Sequence, residues 1–257
     1  MSLQKKYNNF ISLGYFCEVA EDLEKLGLRN TSSPFDWCIT DLEMNIKLID
    51  NKFDDFMNLE NLSQSRRNRN IYMDTKYNDF FFHDFSAYKS LSSQYSQVKA
   101  KYDRRIERFL HNITNPTLFI RYVSNESKNL NGRSAELEWI ENNRDYILKI
   151  LKKYNSQNEI IYIGDYNTYS DSIKIYHVQI EENDVVSRSP IINNKELYPL
   201  MKSFHIKGQE KNIKRYLTKE RNKKKIGIRI KKNLREQYYK HFKKVYIHSR
   251  EYDIEGK

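Results

Sequence analysis

Short apolar runs alternate with long helical patterns through the first 180 residues, and that alternation limits the folds open to this chain. Runs at 10–13, 71–73, 79–82, 117–123, 159–163 and 172–180 read as strands. Between several of them, apolar residues recur at spacings of three and four, predicting helices over 17–26, 41–56, 95–112 and 134–154. Strands separated by helices of ten or more residues predict an α/β fold. The expected architecture is a mostly parallel open sheet flanked by helices in three layers.

Charge divides the chain in two. Residues 211–257 hold 17 Lys or Arg against 5 Asp or Glu, whereas the preceding part is near neutral. The net charge of +11 therefore belongs to a C-terminal segment. We expect an α/β domain over 1–208 and a basic extension over 209–257. Within the extension, 211–239 reads as helical and 244–248 as an edge strand. With 257 residues there is enough chain for a sizeable core, and 20 Tyr and 13 Phe indicate that rings fill much of it.

Cys17 and Cys38 lie in no CxxC, and two thiols can build neither a disulfide framework nor a four-cysteine zinc site. No two histidines have metal-ligand spacing, and no Walker loop or GxGxxG is present, so no cofactor is expected. Residues 1–9 are polar, and no run approaches the roughly 20 apolar residues of a membrane span. Reduced thiols and a cytoplasmic location, on a membrane surface at most, are the expectation.

The chemistry-bearing residues sit where strands end. In an open α/β sheet ligands bind at the carboxyl ends of strands. Cys17 follows the 10–13 run and the Gly14 turn, at the start of a helix whose positive end favours a thiolate. His83 and Asp84 follow the run 79–82, and Asp165 follows 159–163. If all these strands are parallel, the groups converge. Cys17 is then the candidate nucleophile and His83 its base, with Asp84, Asp36 or Asp165 orienting the imidazole. A cysteine can equally be a small buried apolar group, the better reading for Cys38, and a histidine can simply close a strand. His177 is a rival base inside an apolar alternation. Arg121, between Phe119-Ile120 and Tyr122-Val123, needs either a carboxylate partner (Asp36, Asp84 or Asp165) or a bound substrate anion.

Several motifs carry a resemblance. Ser12-Leu13-Gly14-x-x-Cys17, Gly27-Leu28-Arg29, Ser33-Pro34-Phe35-Asp36-Trp37 and His83-Asp84-Phe85 resemble a bacterial family of unknown function described as papain-like cysteine peptidases. Lys101-Tyr102-x-Arg104-Arg105 and Leu118-Phe119-Ile120-Arg121 look like its later motifs. The resemblance covers about residues 10–180 and implies a Cys–His pair carried by Cys17 and His83. A papain-like α+β arrangement is therefore the alternative fold. A sheet with a cysteine after its first strand is also similar to a capsule-biosynthesis acyltransferase type, in which a thiol works beside a bound acyl carrier. Hydrolase and acyltransferase share one chemistry: a thiolate attacks an acyl carbon while helix-start amides hold the oxyanion.

A different class of function is binding without chemistry. In 211–257 lysine clusters lie among Tyr216, Tyr238, Tyr239 and Tyr246, a pattern suited to nucleic acid, anionic lipid or an acidic glycan. Its bland counterpart is a solvated tail.

Overall fold

The computed structural model describes residues 6–66, 69–125, 128–180 and 187–225. The expected strand and the aromatic-interleaved lysines beyond residue 225 lie outside the described residues. In chain order the elements are β1 (Asn9–Ser12), α1 (Glu18–Lys25), β2 (Cys38–Ile39), α2 (Leu42–Asp50), β3 (Leu62–Gln64), β4 (Tyr72–Asp74), β5 (Asp79–Phe81), α3 (Leu91–Asn112), β6 (Thr117–Tyr122), α4 (Ala135–Asn142), α5 (Arg144–Tyr154), β7 (Glu159–Asp165), β8 (Ile175–Val178), α6 (Leu197–Ser203) and α7 (Gln209–Lys225).

The parallel sheet has the order β1-β6-β7-β8, in register Phe10 with Leu118, Ile120 with Ile161 and Ile163 with Tyr176. Its centre is β6, whose residues are buried throughout. Strand side chains alternate between faces. Leu118, Ile120 and Tyr122 therefore join Val19 and Leu23 of α1 and Leu197 and Met201 of α6. Phe119 turns to the other face, with Ile46 and Ile49 of α2, Phe109 of α3, and Ile147 and Leu151 of α5. Burying each such side chain contributes about 1.5–3 kcal/mol before chain entropy is counted. These two cores establish helices on both faces of the parallel sheet.

The remaining strands depart from the expected architecture. They form a separate antiparallel sheet, β2-β5-β4-β3. The 71–73 and 79–82 runs are strands, as expected, but neither belongs to the parallel sheet. The turn between β4 and β5 is too short for a parallel crossover, which needs a dozen or more residues. The mixed result combines the α/β layers with an antiparallel sheet lying against the β1/β6 end through Thr40.

Capping explains several boundaries. Ser90 and Ser134 accept from the backbone N–H groups of Ser93 and Leu137, so α3 and α4 begin directly after them. The helix expected over 134–154 is two helices, because Asn143 leaves the helical region with φ −119° and ψ 18°. The helix expected through Phe56 stops at Asp50, and Lys52, Phe53, Asp55 and Met57 then adopt positive φ. Such residues cannot continue a right-handed helix.

Candidate active site

Cys17 is delivered by a braced turn. β1 ends at Ser12, and Gly14 follows at φ +80°. The Leu13 carbonyl accepts from Arg121 Nη1 and from Asn45 Nδ2, each at 2.7 Å. A Cβ on Gly14 would lie 2.5 Å from Thr40 Oγ1 and 3.0 Å from Arg121 Nη1, so both backbone angle and space demand glycine. Tyr15 and Phe16 are buried against Tyr122 at the end of β6, with ring centroids 6.3 and 5.0 Å away. Cys17 then occupies the N-cap of α1, half-buried. The first amides of a helix lack intrahelical acceptors and can donate to an anion. Glu18 and Glu21 share that first turn, and their carboxylates oppose the helix field at the thiol.

Cys38 has a different setting. It is buried on the opposite side of β2 from Ile39, with its Sγ 3.2 Å from the Tyr102 hydroxyl. Burial pushes its thiol well above the usual range, and the nearby Asp84 and Asp79 carboxylates add to the effect. Neither cysteine is in a disulfide.

His83 follows β5 and is exposed. Its ring meets Trp37 edge-on, with centroids 6.4 Å apart. The Arg29 guanidinium lies 5.5 Å from the same Trp37 ring. Asp36 fixes that guanidinium by accepting from its Nε at 2.9 Å and its Nη2 at 2.5 Å, and it also accepts from Ser33 N. Asp36 thus reaches His83 through Arg29 and Trp37. Burial pushes the Asp36 carboxyl up, against the pull of Arg29.

Asp84 turns to α3. One carboxylate oxygen pairs with Lys101 Nζ and the other accepts from the Tyr102 hydroxyl at 2.8 Å. Its immediate neighbours are therefore Lys101 and Tyr102, and Tyr102 links it to Cys38.

The strand-end convergence inferred from an all-parallel sheet does not extend to His83 and Asp84, because β5 lies in the antiparallel sheet. Cys17 does follow the parallel strand β1, and Asp165 is the last residue of the parallel strand β7. Asp165 accepts from Asn167 N, Thr168 Oγ1 and Asn125 Nδ2, joining its own loop to the end of β6.

Arg121 has no solvent exposure. It pairs with Glu136 of α4, and its Nη2 also donates to the Thr40 carbonyl at 2.7 Å. The buried-ion-pair reading is the observed one, but with a partner outside the three aspartates considered from the sequence. Burial raises the Glu136 carboxyl while Arg121 opposes that shift. Glu136 also accepts from Leu42 N and Ser124 N, making it a junction of α2, β6 and α4. The sequence signal for it was an acidic residue just after Ser134, readable as a helix first turn but not as the partner of Arg121. His177 has its Nε2 2.9 Å from the Thr168 carbonyl and stacks on Tyr166, a structural setting.

Among the described residues no group of three His, Cys, Asp or Glu side chains could hold a metal, and no helix is long and apolar enough to cross a membrane.

Comparison with known proteins adds a family. "Uncharacterized protein R408" of Acanthamoeba polyphaga mimivirus is 38% identical over 120 residues, covering 39% of this chain and 54% of that protein. The chain thus spans about half the length of this curated relative. No solved structure matches. A family model described as "Putative papain-like cysteine peptidase (DUF1796)" matches residues 8–150, a stretch containing Cys17, Asp36, His83, Asp84 and Arg121 but not Asp165. That match covers more than half of the chain, which belongs to this family.

Proposed function

We propose that the chain is a cysteine-dependent hydrolase or acyltransferase, with Cys17 as nucleophile and His83 as base. The placement of Cys17 carries the reading: a half-buried thiol at a helix start, on a turn held by Arg121, Asn45 and Thr40. Its pairing with His83 is supported by Ile39. That side chain packs against the cluster containing Tyr15 and Phe16 and also against the cluster of Ile71 and Phe80, and Ile39 pairs with Phe80 on β5, the strand leading to His83.

In this reading His83 takes the Cys17 proton, and the sulfur bonds to the substrate acyl carbon. The carbon–heteroatom bond to the leaving group breaks, and the leaving group departs with the proton from His83. Water then releases the acyl group in hydrolysis, or an acceptor hydroxyl or amine does so in transfer. The amides at the start of α1 hold the intermediate oxyanion. Asp36 and Asp84 are positioning residues. Asp36 acts through Arg29 and Trp37, whereas Asp84 anchors the segment beside His83 to α3. Arg121 affects substrate binding through the Gly14 turn, and Asp165 with Asn125 forms a polar substrate-side edge.

The test is incubation with a panel of activated acyl esters and thioesters, read by intact mass and by acyl release. An acyl adduct on wild type that is absent from Cys17→Ser, with slower turnover in His83→Ala, supports the reading. Acyl adducts that persist in Cys17→Ser overturn it.

A further inference from the structure

A second site lies at the opposite end of α1 from Cys17; it shares Arg29 with the acyl-transfer reading, but Arg108, Arg215 and Lys219 have no part in that reading. A cleft of about 280 Å³ opens between the loop after α1, the face of α3 and the start of α7. Its walls carry Arg29, Arg108, Arg215 and Lys219, with Asn212 and a single carboxylate, Glu24. Three separate elements thus bring four cations around one cavity.

The cations are of two kinds. Arg29 and Lys219 are held by Glu24, at 3.0 and 2.5 Å, and Arg29 is also fixed by Asp36. Arg108 and Arg215 make no ion pair among the described residues, and they face the cavity from α3 and α7. α7 is firmly placed. Gln209 donates to the Leu26 carbonyl, Asn212 donates to the Gly27 carbonyl, and Ile213 packs where a Gly27 side chain would be. The α7 wall of the cleft is therefore held in place, and the cleft carries an excess of positive charge. A guanidinium presents a planar fork of donors that matches phosphate oxygens, and two opposed forks can hold one phosphate on separate faces.

We propose that this cleft binds the phosphate group of a small phosphorylated molecule, between Arg108 and Arg215. Its volume is near the lower end of small-molecule pockets, suited to a sugar phosphate rather than to a polymer. A concave site walled on three sides also differs from the flat contact that a membrane surface would make. Glu24 has a defined role in this arrangement: it keeps Arg29 and Lys219 in place while reducing the field felt by the ligand.

The test uses the full chain at fixed ionic strength, with calorimetric titration of inorganic phosphate, ribose 5-phosphate and vesicles containing anionic lipid. Saturable binding of the sugar phosphate is expected. It should weaken by roughly tenfold or more in Arg108→Ala/Arg215→Ala, which removes both charge-assisted contacts. Glu24→Gln should bind more tightly than wild type. Lys149→Ala/Lys152→Ala on α5, which changes total charge equally but does not line the cleft, should leave binding unchanged. Binding of inorganic phosphate as tight as that of the sugar phosphate would assign the site to the free ion and overturn the small-molecule claim. No saturable binding, binding to vesicles alone, or equal loss in both double variants would overturn the proposal altogether. None of these readouts depends on Cys17.

Discussion

Arg121 donates to the carbonyl of Leu13 at 2.7 Å, so a cation buried in the central strand braces the turn that leads to Cys17. The same guanidinium pairs with Glu136 and donates to Thr40. Parallel sheet, antiparallel sheet and α4 meet at this one side chain. A buried charge of this kind is destabilising unless its geometry is complete. Its value here is positional, because the turn it supports carries the thiol.

Gly14→Ala tests that brace. The substitution forces a Cβ against Thr40 Oγ1 and Arg121 Nη1 at a φ of +80°. We expect a stability loss of about 1–3 kcal/mol, read from the urea midpoint. Alkylation of Cys17 should change as well, whereas an unchanged midpoint and rate would remove the turn from the account.

The Arg121–Glu136 pair gives a sharper stability test. Arg121→Met or Glu136→Gln alone should destabilise by about 3–5 kcal/mol, because each leaves the other charge buried and unmatched. The double variant should lose less than the sum of the two. Additive losses would show that the backbone contacts of Arg121, and not the ion pair, dominate.

How much of this was readable in the sequence depends on the length of each element. The β1, β6 and β7 runs and the α1 and α3 stripes have enough residues for periodicity to show, and their boundaries differ from expectation by only a few residues. The strands β2 and β3 have two and three residues and no period to read. Without them the β4 and β5 runs read as members of the parallel sheet, which puts His83 at the carboxyl end of one of its strands. The Glu136 partnership was hidden for a related reason. It connects a strand to the first turn of the next helix, and no local pattern marks which carboxylate a buried arginine will meet. The Gly14 turn was legible as a turn, but its close approach to Thr40 was not.

Alkaline pH should destabilise the fold. Burial pushes up the phenols of Tyr102, Tyr122 and Tyr162 and the thiol of Cys38. The native chain therefore keeps protons that the unfolded chain releases, near about pH 8.5 for a thiol and about 10 for a phenol. Because the unfolded state binds fewer protons there, stability falls as pH rises through those values. Urea midpoints at pH 7, 9 and 10.5 should decline in that order, with phenolate absorbance from these tyrosines appearing only on unfolding. A flat profile would contradict the assignment.

Tyr102→Phe probes the link between Asp84 and Cys38. It removes the hydroxyl that donates to Asp84 and lies against the Cys38 sulfur. A stability loss of about 1–3 kcal/mol is expected from the unsatisfied buried carboxylate oxygen. Cys38 should become more reactive toward alkylation as packing around it loosens, which peptide mapping would detect.

The most direct test of the central claim is the rate of iodoacetamide alkylation at Cys17 and Cys38, followed by mass spectrometry from pH 5 to 9 in wild type and His83→Ala. The account predicts that Cys17 reacts much faster than Cys38. It also predicts that the Cys17 rate near neutral pH drops in His83→Ala, because the imidazole no longer supports the thiolate. Slow and equal labelling of the two cysteines, unaffected by loss of His83, would contradict it.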